Sequence, residues 1–248
     1  MAIFIDSALI REVEAARSLG WVRGVTTNPL LLARTGCDVR TVLSELARLE
    51  IGSVFYQLVS PTLDGMHQEM QQAAKIVGPA LVLKVPPTQI GFQFVSKCVD
   101  YPCCITAVYS PAQAMVARET RARYVALYVN RATRLMGNGF QLVKDVAEVL
   151  KHSGIEIIAA SIKSSEEACA SLAAGAHHLT LPYEVLTGLI THPLSEQAMA
   201  EVQETGAGIF HPAKGTDRQN PATSSKIMMD EKRTTIHGPA IQVPYREK

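Results

Sequence analysis

Eight short apolar segments recur along the chain, and stretches with helical periodicity separate them. The predicted strands are Ile3–Ile5, Gly24–Thr26, Val54–Gln57, Ala80–Lys84, Cys103–Ala107, Tyr124–Tyr128, Glu156–Ala160 and His178–Leu181. The predicted helices include Ser7–Leu19, Val39–Leu49, Asp64–Val77, Gly91–Val99, Pro111–Thr120, Gly139–His152 and Ser165–Ala174. Eight strand–helix units fit a closed, parallel, eight-stranded (β/α)8 TIM barrel better than an open doubly wound sheet, which has fewer strands.

The composition changes after Gly206, where proline, glycine, serine and charged residues become frequent. We expect residues 1–206 to form one catalytic barrel domain. We expect residues 207–248 to form a C-terminal tail that is mostly disordered, because its apolar residues are too scattered to offset the entropy of ordering the backbone. A solvated extension is favoured over a partner-binding segment.

The overall charge excludes several classes of partner. The net charge is +1, and no basic cluster occurs in the first 200 residues, so we expect neither a nucleic-acid nor a membrane partner. No signal peptide and no membrane-spanning run are apparent. The five cysteines show no metal-ligand spacing, and no G-x-G-x-x-G motif follows the first strand. We therefore predict a cytoplasmic protein with reduced thiols, no metal and no cofactor, acting on small molecules.

Lys84 stands at the end of the apolar run Ala80-Leu81-Val82-Leu83. Desolvation disfavours the ammonium form, so an amine at the end of a buried strand can become a nucleophile for Schiff-base chemistry. The structural alternative is that Lys84 is simply the residue at which a buried strand reaches solvent.

Polar residues follow nearly every predicted strand, where the active site of a (β/α)8 barrel forms. They are Asp6, Thr26, Thr27, Asn28, Gln57, Lys84, Thr106, Tyr128, Asn130, Arg131, Ser161 and Lys163. A structural role is open for several of them. Asp6 could cap the first helix, Asn28 could start a turn, Thr106 could be an ordinary strand residue and Tyr128 a core residue. Gln57 is harder to explain structurally, because a buried amide must find hydrogen-bond partners.

Arg131 and Ser161 together could form a phosphate clamp, since guanidinium and hydroxyl donors match phosphate oxygens. Both residues also have a structural interpretation, Arg131 as a solvated surface charge and Ser161 as a helix cap. His177 and His178 lack metal-ligand company and are interpreted as structural.

Six segments in chain order resemble the small transaldolase family over roughly residues 1 to 203. They are Phe4-Ile5-Asp6-Ser7-Ala8, Gly24-Val25-Thr26-Thr27-Asn28-Pro29, Leu83-Lys84-Val85-Pro86, Thr106-Ala107-Val108-Tyr109-Ser110, Tyr128-Val129-Asn130-Arg131 and Ala159-Ala160-Ser161. The resemblance implies a class I mechanism in which Lys84 forms a Schiff base with a ketose or a dihydroxyacetone unit. It further implies that Asp6 shuttles protons, that Asn28 and Thr26 of the shared motif bind substrate, and that Arg131 and Ser161 bind the phosphate of a sugar phosphate.

Two positions bear on the reaction within the family. The transaldolase pattern has glutamate at the place of Gln57 and phenylalanine at the place of Tyr128, whereas the fructose-6-phosphate aldolase pattern has glutamine and tyrosine. This chain has the aldolase pair. Gln57, Thr106 and Tyr128 could hold one water that relays a proton to the enamine. The resemblance therefore favours cleavage of fructose 6-phosphate to dihydroxyacetone and glyceraldehyde 3-phosphate.

Alternatives stay open. A transaldolase would pass the dihydroxyacetone unit between sedoheptulose 7-phosphate and glyceraldehyde 3-phosphate in the pentose phosphate pathway. A catalytically silent barrel would only bind sugar phosphates, and a deoxyribose-phosphate aldolase comes last because the Thr-Thr-Asn-Pro turn does not suit it. The chain departs from the family at Pro87 and Thr133, and its final helix shortens after Gln203. We expect a homo-oligomer, without specifying its size.

Overall fold

The eight predicted strands all form, and they close into a parallel barrel in chain order. The computed structural model describes residues 1–206, 208 and 209. The strands are β1 (Ile3–Asp6), β2 (Gly24–Thr26), β3 (Ser53–Gln57), β4 (Leu81–Val85), β5 (Cys103–Val108), β6 (Ala122–Tyr128), β7 (Glu156–Ala160) and β8 (His178–Leu181). Each strand pairs in parallel with the next, and β8 pairs with β1. The predicted (β/α)8 barrel is confirmed.

Helices connect the strands. They are α1 (Ile10–Ser18), α2 (Pro29–Arg34), α3 (Val39–Arg48), α4 (Leu63–Val77), α5 (Gln89–Lys97), α6 (Pro111–Arg118), α7 (Val129–Met136), α8 (Gly139–Leu150), α9 (Ser165–Ala173), α10 (Tyr183–Gly188) and α11 (Pro193–Thr205). The seven predicted helices form, and α2, α7 and α10 are additional short helices. The predicted start of α1 at Ser7 was wrong, because the Ser7 hydroxyl accepts a hydrogen bond from the Leu9 amide and delays the helix to Ile10.

Side chains alternate between the two faces of the barrel wall, as the period of two in a β-strand requires, and a register irregularity interrupts this alternation on β5. On β4, Leu81, Leu83 and Val85 face the helices and belong to the main core. Val82 belongs instead to a second apolar cluster within the barrel, so the pleat turns Lys84 to the same inner side. This alternation separates the protein into an outer apolar layer and an inner, partly polar one.

The lower part of the barrel interior, towards the amino ends of the strands, is filled with large side chains. The inner cluster consists of Phe4, Phe55, Val82, Cys104, Tyr124, Ala126 and Ile158. The rings of Phe4 and Phe55 meet edge to face at 5.0 Å, and Phe55 also contacts Tyr124. His178 packs against this cluster, and its Nδ1 accepts a hydrogen bond from the Ala2 amide. Burial lowers the pKa of His178, so a neutral imidazole suits the structural role predicted for it. We call the seven residues of this inner cluster the aromatic floor.

Residues 1–195 form the compact unit that contains the barrel, and residue 196 begins a second unit. The described part of the second unit is chiefly the remainder of α11, none of whose side chains is buried. The predicted tail, residues 207–248, lies almost wholly outside the described residues. Within the described part of the chain, no helix has the length and apolar character needed to cross a membrane.

The start of β2 depends on the absence of a side chain at Gly24. Its φ is +156°, and an added Cβ would lie 2.3 Å from the backbone oxygen of Ser53 on β3. We expect Gly24→Ala to lower the free energy of unfolding by at least about 2 kcal/mol, because backbone strain is added to a clash that only main-chain movement relieves. Gly20→Ala is the matched control, since Gly20 has φ +78° with open space around it. It should cost only about 1 kcal/mol. Equal losses in urea unfolding would contradict the prediction.

Candidate active site

A single cavity of about 440 Å³ opens at the carboxyl ends of the strands, above the aromatic floor. Its lining includes eight of the nine predicted site residues, namely Asp6, Thr26, Asn28, Gln57, Lys84, Tyr128, Arg131 and Ser161. The ninth, Thr106, is buried beside it. The positions expected from the sequence thus converge, whereas the roles given to them remain predictions.

The convergence follows from strand register. Asp6 pairs with Thr26 across β1 and β2, and Gln57 pairs with Lys84 across β3 and β4. Paired residues on parallel strands face the same side of the sheet. Several strands therefore contribute an inward-facing polar side chain near their carboxyl ends to one polar ring above the floor.

Lys84 is 5% exposed, and its Nζ donates a hydrogen bond of 2.8 Å to the carbonyl oxygen of Thr27. Cys104 is its register partner on β5 and lies in the cavity floor. Burial raises the pKa of the Cys104 thiol to about 12, and the charge of Lys84 offsets this only in part. Lys84 consequently has a neutral thiol beside it, and its amine is the nucleophile that this part of the cavity offers.

The Asp6 carboxylate is held by a chain of two threonine hydroxyls. Thr26 Oγ1 donates to Asp6 Oδ1 at 2.8 Å, and Thr26 Oγ1 lies 2.5 Å from Thr180 Oγ1. The interpretation of Asp6 as a helix cap is wrong, because Leu9 is the N-cap residue of α1 and makes no side-chain capping bond. Asp6 therefore projects into the cavity with an oxygen available to move protons.

Asn28 is the N-cap of α2, as a turn-starting residue should be. Its Oδ1 accepts hydrogen bonds from the amides of Leu30 and Leu31, both at 3.0 Å. Pro29 occupies the first helical turn, where its missing amide costs nothing. The capping contacts fix the side chain so that its Nδ2 group is left to donate.

Tyr128 and Thr106 approach each other at the top of β5 and β6. Their hydroxyl oxygens are 3.5 Å apart, too far for a strong direct hydrogen bond. Within the described residues, no protein group hydrogen-bonds the Gln57 side chain, which is half-buried in the cavity wall. These three side chains keep hydrogen-bonding capacity for a water or a substrate.

Arg131 lies on the opposite side of the mouth from Asn28. It is exposed, and its guanidinium carbon is 5.1 Å from the centre of the Tyr128 ring. Tyr109 meets the same ring edge to face at 6.0 Å. Stacking therefore orients the exposed Arg131 guanidinium at the mouth, where Ser161 and Lys163 also line the cavity.

Glu167, at the start of α9, connects helix α7 with the segment that follows β7, and these two parts of the chain carry the donors. Its carboxylate accepts from Asn130 Nδ2 at 2.6 Å and from the Lys163 backbone amide at 2.8 Å. Asn130 neighbours Arg131, and Lys163 is two residues beyond Ser161. The carboxylate thus holds the predicted clamp together, a role that sequence reasoning missed.

Two lining residues have left-handed backbones without being glycine. Ala107 has φ +56° beside a register irregularity of β5, and Ser161 has φ +60° directly after β7. Such conformations cost about 1–2 kcal/mol each and persist only where the surrounding structure imposes them. At Ser161, the unusual backbone turns the chain sharply at the cavity mouth.

Sequence reasoning also missed Thr180 and Arg34, which line the cavity from β8 and α2. The signal for Thr180 was its spacing of two residues from His178, which places both on the inner face of a short strand. Arg34 carried no such signal, because α2 was not predicted. Among the described residues, no group of three or more His, Cys, Asp or Glu side chains is arranged to hold a metal.

Residues 3–230 match a known family, described as Transaldolase/Fructose-6-phosphate aldolase. The chain belongs to this family. It is 36% identical over 203 residues to a "Probable transaldolase" of Bacillus cereus, covering 80% of this chain and 94% of that protein. A "Probable transaldolase" of Pelotomaculum thermopropionicum is 36% identical over 208 residues, with 82% and 96% covered. Membership of the transaldolase/aldolase family makes this protein an enzyme and supports aldol chemistry on sugar phosphates.

Solved structures of other proteins resemble this chain in the shape of the fold and not in sequence. A crystal structure of mandelate oxidase superposes with a TM-score of 0.56 at 15% identity. The match covers 74% of this chain and 65% of the oxidase chain. At this level of identity, the similarity concerns only the barrel architecture.

We expect Glu167→Ala in this member of the transaldolase/aldolase family to lower the free energy of unfolding by about 2 kcal/mol, because it removes a charged acceptor from two donors. Glu166→Ala is the matched control. Glu166 is exposed on the same helical turn, so its removal should change stability by less than about 0.5 kcal/mol. Urea unfolding of both variants measures the difference, and similar values for the two would contradict the bridging role.

Proposed function

We propose that this protein is a class I aldolase that reversibly cleaves fructose 6-phosphate to dihydroxyacetone and glyceraldehyde 3-phosphate. The observation that carries the proposal is a buried lysine in a cavity that also contains Asp6, Gln57 and Tyr128. Lys84 supplies the amine, Asp6 a carboxylate for proton transfer, and the other two a neutral amide and a phenol.

In the proposed reaction, the unprotonated Lys84 amine attacks the C2 carbonyl, and loss of water gives an iminium. The C4 hydroxyl then loses its proton to Asp6, directly or through water, as the C3–C4 bond breaks. The bonding electrons move into the iminium and give a neutral enamine, while glyceraldehyde 3-phosphate leaves. Protonation at C3 and hydrolysis then release dihydroxyacetone and restore the amine.

The fate of the enamine separates an aldolase from a transaldolase. The hydroxyls of Thr106 and Tyr128, 3.5 Å apart, could both bind one water, and the Gln57 amide could bind the same water from β3. A water fixed in this way would deliver the proton to C3. Rapid protonation favours release of the ketone over transfer to an acceptor aldehyde.

Arg131 and Ser161 would bind the phosphate, with Lys163 as a further cation at the mouth. Asn28 Nδ2 would donate to a substrate hydroxyl, since the capping contacts occupy Oδ1. These roles place the phosphate end near β6 and β7 and the reacting carbons above β1 to β4.

The second candidate is a transaldolase that transfers the dihydroxyacetone unit to an acceptor aldose. It is favoured by the names of the relatives from Bacillus cereus and Pelotomaculum thermopropionicum, which are each called a probable transaldolase. The same Lys84 enamine would serve both reactions, so only its partitioning differs.

The test is incubation with fructose 6-phosphate, with and without erythrose 4-phosphate, followed by borohydride reduction. Mass spectrometry maps the adduct, and a coupled assay measures released glyceraldehyde 3-phosphate. We expect an adduct on Lys84, absent in Lys84→Met, with turnover that needs no acceptor. Turnover only with acceptor would support the transaldolase. No adduct on Lys84 would overturn both and favour a sugar-phosphate-binding barrel.

Tyr128→Phe should lower acceptor-independent turnover by at least about tenfold, because it removes the phenol from proton transfer to the enamine. The Lys84 adduct should still form. Tyr124→Phe is the control, since Tyr124 lies on the same strand but belongs to the aromatic floor. Equal activity of the Tyr128→Phe variant and the parent enzyme would refute the assigned role.

Arg131→Ala should raise KM for fructose 6-phosphate by about tenfold or more, because charge-assisted hydrogen bonds to the phosphate are lost. The KM of glyceraldehyde, measured with dihydroxyacetone in the synthetic direction, should change little. Arg134→Ala, at an exposed position on the same helix, should leave both values unchanged. An equal rise for both substrates in Arg131→Ala would rule out the clamp.

A further inference from the structure

Two of the five cysteines meet at the connection between α5 and β5. Cys98 is the C-cap residue of α5, and Cys103 is the first residue of β5. The Sγ atoms of Cys98 and Cys103 lie 3.7 Å and 3.6 Å from the same acceptor, the carbonyl oxygen of Tyr101. The two sulfurs therefore flank one carbonyl oxygen, which places the thiols side by side.

Strand alternation explains why Cys103, and not its neighbour Cys104, is the partner. Cys103 faces the helices and shares the main core with Cys98, whereas Cys104 points into the barrel. The remaining cysteines, Cys37 and Cys169, are exposed and belong to other elements. The pair is therefore a specific juxtaposition that the sequence spacing alone did not reveal.

The pKa values of the two thiols differ in the way that thiol oxidation requires. The neighbouring Cys103 thiol, together with backbone hydrogen bonds at Tyr101 and Asp100, lowers the pKa of Cys98 to about 6 against the effect of burial. The same contact and burial raise the pKa of Cys103. The lowered pKa of Cys98 favours its thiolate, which is the form that attacks an oxidant, and the raised pKa of Cys103 keeps that thiol protonated.

Access is provided by the connecting segment. Cys98 itself is 7% exposed, but Val99 is 70% exposed and Asp100 is also at the surface. A small oxidant can reach Cys98 if these few residues move, because surface connections yield more readily than the strands and helices that they join.

We propose that Cys98 and Cys103 form a reversible intramolecular disulfide when the protein meets a hydroperoxide. The Cys98 thiolate attacks the peroxide, cleaves the O–O bond and becomes a sulfenic acid, and hydrogen peroxide is reduced to water. The Cys103 sulfur then attacks the Cys98 sulfur, and the hydroxyl of the sulfenic acid leaves with the Cys103 proton as a second water. A dithiol or two monothiols reverse the reaction by exchange.

The disulfide joins the end of α5 to the beginning of β5, at the amino end of the barrel. The cavity lies at the carboxyl ends of the strands, so the bridge leaves the reacting groups in place. We expect the oxidised protein to keep its catalytic activity while the thiols are protected from further oxidation.

The test is brief treatment of the full chain with hydrogen peroxide, alkylation of the remaining thiols and proteolysis on the amino side of aspartate without reduction. Cleavage before Asp100 separates Cys98 from Cys103, because it yields the peptides 64–99 and 100–144. We expect these peptides to be linked, with two hydrogens lost, and to separate after reduction. The link should disappear in Cys98→Ser and Cys103→Ser and persist in Cys104→Ser.

Alkylation by iodoacetamide gives a second readout that does not depend on these variants folding. Cys98 should react with a rate that is half-maximal near pH 6, whereas the exposed Cys37 provides an internal reference in the same sample. Linkage through Cys104, oxidation of Cys98 to a sulfinic acid without a link, or faster oxidation of Cys37 or Cys169 would each overturn the proposal.

Discussion

The period of two within the strands, held in register by closure of the barrel, determines both the core and the candidate active site. A closed sheet has no free edge, so register cannot slip without turning the side chains of a whole strand to the other face. On β4 this rule buries Leu83 against the helices and turns Val82 and Lys84 inward. Gln57 is the register partner of Lys84, and Asp6 is that of Thr26, so these side chains also face inward. The candidate site is thus the polar ring formed by inward-facing side chains of several strands.

Electrostatics divide this ring and its surroundings into two halves. The lower half is closely packed, and it contains the Lys84 amine and the Asp6 side chain, each held by a hydrogen bond to the protein. The mouth carries Arg131 and Lys163, whose donors are exposed to solvent. A phosphorylated sugar suits this division, because its charged end can stay near water while its carbonyl enters the drier region.

The strands and the barrel could be predicted because apolar, β-branched runs alternate with helical periodicity over nearly the whole chain. Short helices such as α2 and α7 were missed, since six to eight residues carry too little periodicity to be recognised. The site residues from strand ends were found because polar side chains interrupt apolar runs. Glu167 and Thr180 were not predicted. Glu167 lies on a helix and acts through contacts with a side-chain amide and a backbone amide, and Thr180 resembles an ordinary threonine of a strand. The Cys98–Cys103 contact depends on which way β5 faces, which spacing does not encode.

The aromatic floor has a kinetic consequence for an enzyme of this family. Because Phe4, Phe55 and Tyr124 fill the barrel below Lys84, the cavity is blind-ended and every molecule passes through one mouth. In the proposed reaction, the phosphorylated aldehyde must leave through that opening before an acceptor aldose can enter and meet the enamine. Release of the ketone and transfer to an acceptor would then compete behind a common exit, and the residence time of the first product would limit the transfer.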